Sequence, residues 1–213
     1  MKLTWYGLAC FYLEGKDASV LMDPFDDTVG YEVPYVEADL WTCSHDHYDH
    51  NHGASVLNSD ALSAVDGLDT GTIKTAAVKS WHDDRQGAVW GENTIWVVTL
   101  EGMRIAHLGD LGHLLTPEHL EQIGPVDLLL VPTGGIYTID ERAAAGVVRS
   151  MGAKLVIPMH YQTNHLRGFE LNEGVDAFIE ELEHYRIQRH DSNCLEITPA
   201  LLEEPTVVVL TFK

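Results

Sequence analysis

The stretch 41–53, WTCSHDHYDHNHG, places four histidines (His45, His47, His50, His52) and two aspartates (Asp46, Asp49) within thirteen positions. The run ahead of it, DLWTCS, is short and apolar, so His45 falls at the C-terminal end of an expected strand. Side chains two apart leave an extended chain on the same side, so His45 and His47 can converge on one ion while Asp46 and Tyr48 point elsewhere. Asp49 and His50 follow where the chain is expected to turn into a helix, and can face a second ion. Imidazole combined with carboxylate suits zinc, manganese or iron rather than calcium or magnesium. The alternative is a well-solvated polar turn, and the rest of the chain has to decide.

Three further residues stand in similar settings. His82 follows TAAVKSW, Asp110 follows MRIAHLG, and His160 follows AKLVIPM, each where a strand-like run gives way to a loop. Open sheets place their ligands at such ends. One polar residue there means little; three, added to HxHxDH, make seven potential ligands on one rim.

Around these points the chain alternates short strands and helices. KLTWYGLACFYLEG, ASVLMDP, DLWTCS, IKTAAVKSW and NTIWVVTLEGMRIAHLGD are rich in β-branched and aromatic residues, and the "EG" inside the last reads as a hairpin turn. TPEHLEQIG, DERAAAGVVRSMG and LNEGVDAFIEELEHYRI read as helices; the last carries Val175, Phe178, Ile179 and Leu182 as a core-facing stripe. VDLLLVPTGG and AKLVIPMHY are continuous apolar runs of the kind that form buried strands. Two mixed β-sheets with helices outside satisfy this order. With no linker, repeat or low-complexity tract, a single domain over residues 1–213 is expected.

The stretches GLACFYLEG, VLMDP, HDHYDH, HLGDLG, VPTGGIYTID and VIPMHYQT, in this order, resemble the metallo-β-lactamase-fold superfamily. Within it they look closest to the branch of small metal-dependent hydrolases similar to ascorbate-6-phosphate lactonase and to the N-acyl-phosphatidylethanolamine phospholipase D. The resemblance implies an α/β fold, a four-layer αββα sandwich of two mixed sheets flanked by helices, with a binuclear site between the sheets. It implies that His45, His47 and His82 hold one metal. Asp49, His50 and His160 would hold the other, with Asp110 bridging. Asp23 in LMDP matches a buried aspartate that supports the site, where the plainer reading is a turn-forming Asp-Pro. Gly134, Gly135 and Tyr137 match a loop passing close to the site. The true β-lactamases carry a cysteine in the region of Asp110, so antibiotic hydrolysis is not expected.

The expected activity is hydrolysis by a metal-bound hydroxide of a small ester, lactone, amide or phosphodiester, on two divalent ions, zinc first and manganese or iron after it. Asp110, Asp49 and His113 are the candidates for catalytic roles, His113 as a residue reaching substrate or donating a proton. His165 and Arg167 are weaker candidates for an anionic substrate group, His107 reads as a hydrogen-bonded core residue, and His52 stays unassigned. No GxSxG elbow offers another nucleophile. An iron-dependent oxidoreductase on the same scaffold is the alternative, although di-iron flavoproteins of this fold have glutamate where His47 stands. A non-catalytic binding protein need not keep seven ligands.

Thirteen basic residues against thirty-three acidic ones, a formal charge of -20, repel phosphate backbones and anionic lipid. Nucleic acid and membrane are therefore not expected as partners, and a salty environment would explain the acidity equally well. The expected partner is a small-molecule substrate, with a homo-oligomer left open. Three scattered cysteines argue against a disulfide framework. LTWYGLACFYL has one basic flank and no Ala-x-Ala site, so it reads as a strand pair rather than a signal peptide, and the expected location is cytoplasmic.

Overall fold

The computed structural model describes residues 1–172 and 175–212. Its strands, in chain order, are β1 (Lys2–Gly7), β2 (Cys10–Glu14), β3 (Ser19–Met22), β4 (Leu40–Thr42), β5 (Leu62–Ser63), β6 (Ile73–Trp81), β7 (Glu92–Leu100) and β8 (Met103–His107). The second half continues with α1 (Pro117–Ile123), β9 (Leu128–Pro132), α2 (Glu141–Met151), β10 (Leu155–Met159) and α3 (Asp176–Glu180). It closes with β11 (Arg186–His190), β12 (Cys194–Glu196) and β13 (Thr206–Leu210).

Two mixed sheets result. The first runs β12-β1-β2-β3-β4-β5 and the second β11-β13-β10-β9-β8-β7-β6. In each, antiparallel hairpins hand over to parallel strands, at β3–β4 in the first and β8–β9 in the second. The Glu101–Gly102 turn between β7 and β8 has φ of 53° and 80°, the two positive values that let a two-residue turn follow the twist of a hairpin. Strands β9, β10 and β13 are buried at every position, as expected of parallel strands covered on both faces.

The sheets pack face to face. One apolar cluster joins Leu3, Trp5, Phe11, Val20 and Met22 of the first sheet to Ile95, Val97 and Ile105 of the second. Outside the second sheet lies α2, which buries Ala144, Ala145, Val147 and Val148; Asp140 caps its start by accepting the Ala143 N–H, and Gly152 (φ 62°) ends it. Leu21, on the opposite face of β3 from Val20 and Met22, joins Phe25, Val29, Tyr31, Leu166 and Leu171 in a second apolar cluster. That face of the first sheet is thus covered by the segments around residues 25–38 and 166–171 rather than by an α-helix.

Two expected helices differ. No α-helix follows Asp49; the chain makes a tight turn and then a short 3₁₀ turn at Gly53–Ser55. The helix expected over 171–187 is cut to α3, with residues 173–174 of that stretch outside the described ones. Val175, Phe178 and Leu182 are buried as the stripe requires, but residues 186–190 pair in parallel with β13, so sheet pairing overrides helical propensity. Strands β11, β12 and β13 are additions to the sequence reading. Among the described residues no helix is long and apolar enough to cross a membrane.

The geometry that matters is at the strand ends. β3, β4, β6, β8 and β10 run out at Asp23, at His45 and His47, at His82, at Asp110 and at His160, on one rim of the sandwich.

Candidate metal centre

The chain does not stay extended after β4. The His47 N–H donates to His45 O at 3.0 Å, and the His50 and Asn51 N–H groups both donate to His47 O. This turn, rather than strand alternation, brings the His45 and His47 rings to 4.4 Å. Asp46 faces away, accepting the side chain of Asn51. Behind the turn Asp23 is fully buried at φ 46°. It accepts the Ser44 N–H at 2.9 Å, the Ser44 hydroxyl, and the His50 Nδ1–H at 2.9 Å. Asp23 therefore fixes the His50 ring with Nε2 pointing into the site, well beyond the role of a turn former.

Asp110 is placed by its neighbours. Its N–H donates to Asn93 Oδ1 at 2.9 Å, and Asn93 Nδ2 donates to Leu108 O. A Cβ on Gly109 (φ 55°) would meet Asn93 Oδ1 at 2.3 Å and Ser44 Cβ at 2.6 Å; one on Gly112 would meet the backbone of His82 and Asp83 at 2.3–2.5 Å. The two glycines of HLGDLG are thus where the loop after β8 presses against the loops that carry the other histidines.

Two groups of donor atoms form, His45 with His47 and His82, and Asp49 with His50, Asp110 and His160; within each, the atoms lie inside 4.8 Å of one another. They meet at Asp110, whose Oδ2 is 3.2 Å from Nε2 of each of His50, His82 and His160. Ligands bound at roughly 2.0–2.1 Å in a tetrahedral shell lie about 3.3–3.4 Å apart, so these are the spacings of atoms that share an ion. Nε2 of His50, Nε2 of His160 and Oδ1 of Asp110 are buried with no hydrogen-bond partner among the described residues. Leaving such atoms unpaired costs about 1–3 kcal/mol each, which a cation offsets. The donor set fits a divalent metal.

The electrostatics agree. Burial, followed by the His50 charge, pushes His45 down to about 2, so its ring is neutral and can offer a lone pair to an ion. Burial likewise lowers His160. Burial opposes the charged form of Asp110, but His160 and His50 hold its carboxyl well below the usual range. His50 is raised well above its ordinary value, because Asp110, Asp49 and Asp23 together outweigh its burial. Without an ion the cluster is an ion pair around His50, and a metal displaces that proton.

Above the cluster lies a pocket of about 270 Å³ lined by His47, Tyr48, Asp49, His82, Trp90, Asp110, Tyr137, His160 and Phe169. Trp90 is held there by a loop organised around Asp83. Its Oδ1 accepts the Arg85 and Gly87 N–H groups and its Oδ2 those of Val89 and Trp90, all at 2.8–2.9 Å. Burial opposes the charge, yet the four bonds bring the Asp83 carboxyl down to about 2.

The structure brings together the seven residues expected as ligands and adds Asn93, Asp83, Trp90, Tyr137, Phe169 and Tyr48. His113 departs from its expected role. Its Nε2 accepts the Trp81 N–H at 3.2 Å and its Nδ1 faces Leu114 O at 2.8 Å, so both ring nitrogens are occupied by backbone and none is free to move a proton. His165 packs against Tyr31 and Phe212, and Arg167 Nη1 donates to Asn164 O and Leu166 O, so neither is among the residues lining the pocket. His107 is a core residue facing Ala9 O at 2.7 Å.

Residues 2–160 match the family described as the β-lactamase superfamily domain. A UPF0173 protein of Pyrococcus abyssi is 31% identical over 182 residues, covering 76% of this chain and 84% of that protein. A UPF0173 metal-dependent hydrolase of Thermoplasma volcanium is 30% identical, with the same shares covered. A structure from Thermotoga maritima, assigned to the zinc-dependent hydrolases of the metallo-β-lactamase superfamily, aligns at a TM-score of 0.77 and 38% identity over 98% of this chain and 97% of that one.

Proposed function

The chain belongs to the β-lactamase superfamily and is a metal-dependent hydrolase, and from that premise we propose that it works with two divalent ions, zinc before manganese or iron, on a small ester, lactone, amide or phosphodiester. The observation that carries the second ion is the meeting of two donor groups at a single carboxylate oxygen, Asp110 Oδ2, with three imidazoles 3.2 Å away.

When bound, such a pair of ions polarises the scissile oxygen and brings the pKa of a shared water towards roughly 7. The side chains supply the rest. His45, His47 and His82 would hold one ion, and Asp49, His50 and His160 the other. Asp110, within reach of both groups, would join them and orient a water for attack. Burial opposes the charge of Asp49, but His50 holds its carboxyl down to about 2, so Asp49 is already ionised when an ion arrives. Asp23 keeps the proton of His50 on Nδ1, so Nε2 remains the ligand. Trp90, Tyr137 and Phe169 limit the access of bulk water. Burial raises the Cys43 thiol beside this site to about 12, so it is no competing nucleophile. In this reading the functional unit is one domain spanning residues 1–213, acting in the cytoplasm on a small-molecule substrate.

Metal content per chain, measured on protein purified without added metal, is the first test. Two zinc or manganese ions in the wild type, with turnover abolished in Asp110→Asn, is the expected result. One ion per chain would end the binuclear reading. Iron together with oxygen consumption would replace hydrolysis with oxidation.

A further inference from the structure

The pocket over the metal centre is walled by rings. His82 lies 6.3 Å from Trp90, Trp90 5.2 Å from Tyr137, Tyr137 5.7 Å from Phe169, and Phe169 6.3 Å from His160, centroid to centroid. These five rings form a continuous arc from one candidate ligand to another, with Tyr48 also lining the space. Trp90 and Tyr137 meet edge to face at 76° and also line a second, larger lobe of about 660 Å³. Val89, Leu114 and Ile136 line this outer lobe, 51%, 60% and 58% exposed. These apolar side chains share the outer lobe with Asp83, Asp84, Arg85, His113, Thr138 and Asn172, so the apolar surface there is a strip continuing from Trp90 and Tyr137 rather than the whole lobe. A strip of this kind at the mouth of a catalytic pocket marks a binding surface.

The charges point the same way. Among the described residues, the carboxylates lining the inner pocket are Asp49 and Asp110, both within the metal-binding groups, and no lysine or arginine lines it. In the outer lobe Arg85 is the one basic side chain among the described lining residues, and it lies on an exposed stretch beside Asp84. Asp83 is engaged by four backbone N–H groups and Asp140 caps α2. A phosphorylated substrate entering here would have only the two ions to answer its charge, would give up water for aromatic walls, and would find no basic fork for the oxygens the ions leave free, in a protein of formal charge -20.

We propose, building on the hydrolase reading above, that the site takes an uncharged carbonyl compound with an apolar body, an aryl or medium-chain alkyl ester, lactone or amide, and not a phosphodiester. The carbonyl sits over the donor cluster. The apolar body follows the Trp90–Tyr137 pair into the outer lobe, which makes these two residues determinants of specificity.

The test pairs turnover with binding on zinc-loaded full-length protein. Turnover uses p-nitrophenyl acetate, butyrate, hexanoate and octanoate beside bis(p-nitrophenyl) phosphate; binding uses acetohydroxamate, hexanohydroxamate and octanohydroxamate in calorimetry. Removing a methylene from water is expected to raise kcat/KM and hydroxamate affinity by up to about fourfold per group until the lobe is filled. Trp90→Ala should flatten both slopes and Trp90→Phe should retain most of each; Trp90 is 42% exposed, so neither change empties the core. Ester hydrolysis without chain-length dependence, or faster cleavage of the phosphodiester, would overturn the inference and leave the hydrolase intact. Chain-length-dependent hydroxamate binding without any ester turnover would keep the apolar site and sink the hydrolytic reading. Hydroxamate affinities independent of chain length, or slopes unchanged in Trp90→Ala, would overturn the inference whatever is hydrolysed.

Discussion

At the scale of single residues, Asp110 lies where the two donor groups meet, and the Asn93 side chain holds it there by accepting its backbone N–H. His82, Asp110 and His160 stood out because a lone polar residue at the end of an apolar run has few other reasons to be there. Nothing in the order of residues announced Asn93, whose amide bridges Ser80, Leu108 and Asp110 from inside a strand, since a buried hydrogen-bonding network is visible only once the strands are paired. His113 misled for the same reason: its position three residues past Asp110 suggested a proton donor, but backbone groups occupy both of its nitrogens. Asp23 lies between these cases, a turn residue in sequence and a three-donor acceptor in space. Its substitution separates the two roles. Asp23→Asn cannot satisfy both His50 and Ser44 as the carboxylate does, and losing such an outer partner weakens metal binding roughly 10–100-fold. Titration against a chromophoric chelator should then show one ion weakened, the one held by Asp49, His50 and His160, with the other unchanged. Equal affinity for both ions in the variant would return Asp23 to the rank of a turn former.

At the scale of elements, local chemistry was legible wherever a short-range signal decided the outcome. The hairpin turn at Glu101–Gly102 and the helices read from TPEHLEQIG and DERAAAGVVRSMG all formed where expected, the first helix capped by Thr116 ahead of Pro117 and the second bounded by Asp140 and Gly152. Signals failed where pairing partners are distant in sequence: Arg186 and Ile187 read as the end of a helix and instead open a strand beside β13, whose own place depends on β10. The loop 83–91 was equally opaque, because its order comes from one carboxylate collecting four N–H groups rather than from any turn signature. That arrangement is testable as an element. In Asp83→Asn the amide nitrogen cannot accept, so Val89 and Trp90 or Arg85 and Gly87 lose a partner. Amide hydrogen exchange across 85–91 should quicken while the strands keep their protection. Because Trp90 lines the substrate pocket and not the donor cluster, KM should rise more than kcat falls. Unchanged exchange in this loop would mean that packing against His82 and Tyr137 suffices to order it.

At the scale of the whole molecule, two sheets bring seven polar side chains from distant strands to one rim, and the surrounding surface is strongly acidic. Seven basic residues, Lys2, Lys74, Lys79, Arg85, Arg142, Arg186 and Arg189, stand in ion pairs among the described residues. Such exposed pairs contribute about 0–1 kcal/mol each, and with a formal charge of -20 most carboxylates have no basic counterpart at all. Self-repulsion therefore works against the folded state and should yield to screening. Going from 0.01 M to 0.15 M NaCl shortens the screening length from about 30 Å to about 8 Å, so Tm of the zinc-loaded protein should rise with salt over this range. Removing the ions with a chelator takes positive charge from the rim, leaving Asp49 and Asp110 buried beside a protonated His50 and a His82 that Asp110 raises above its ordinary value against the effect of burial. Binding restricted to the folded state stabilises it by about 2.7 kcal/mol at a hundredfold excess over Kd, so the stripped protein should melt several degrees lower. It should also gain at least as much from added salt, because its surface charge is untouched. A Tm that falls as salt is added would show that attractive pairs, not surplus carboxylates, dominate the surface. A Tm indifferent to the chelator would show that the rim holds its shape without metal, with the Asp23–His50 and Asp110–Asn93 contacts sufficient to order it.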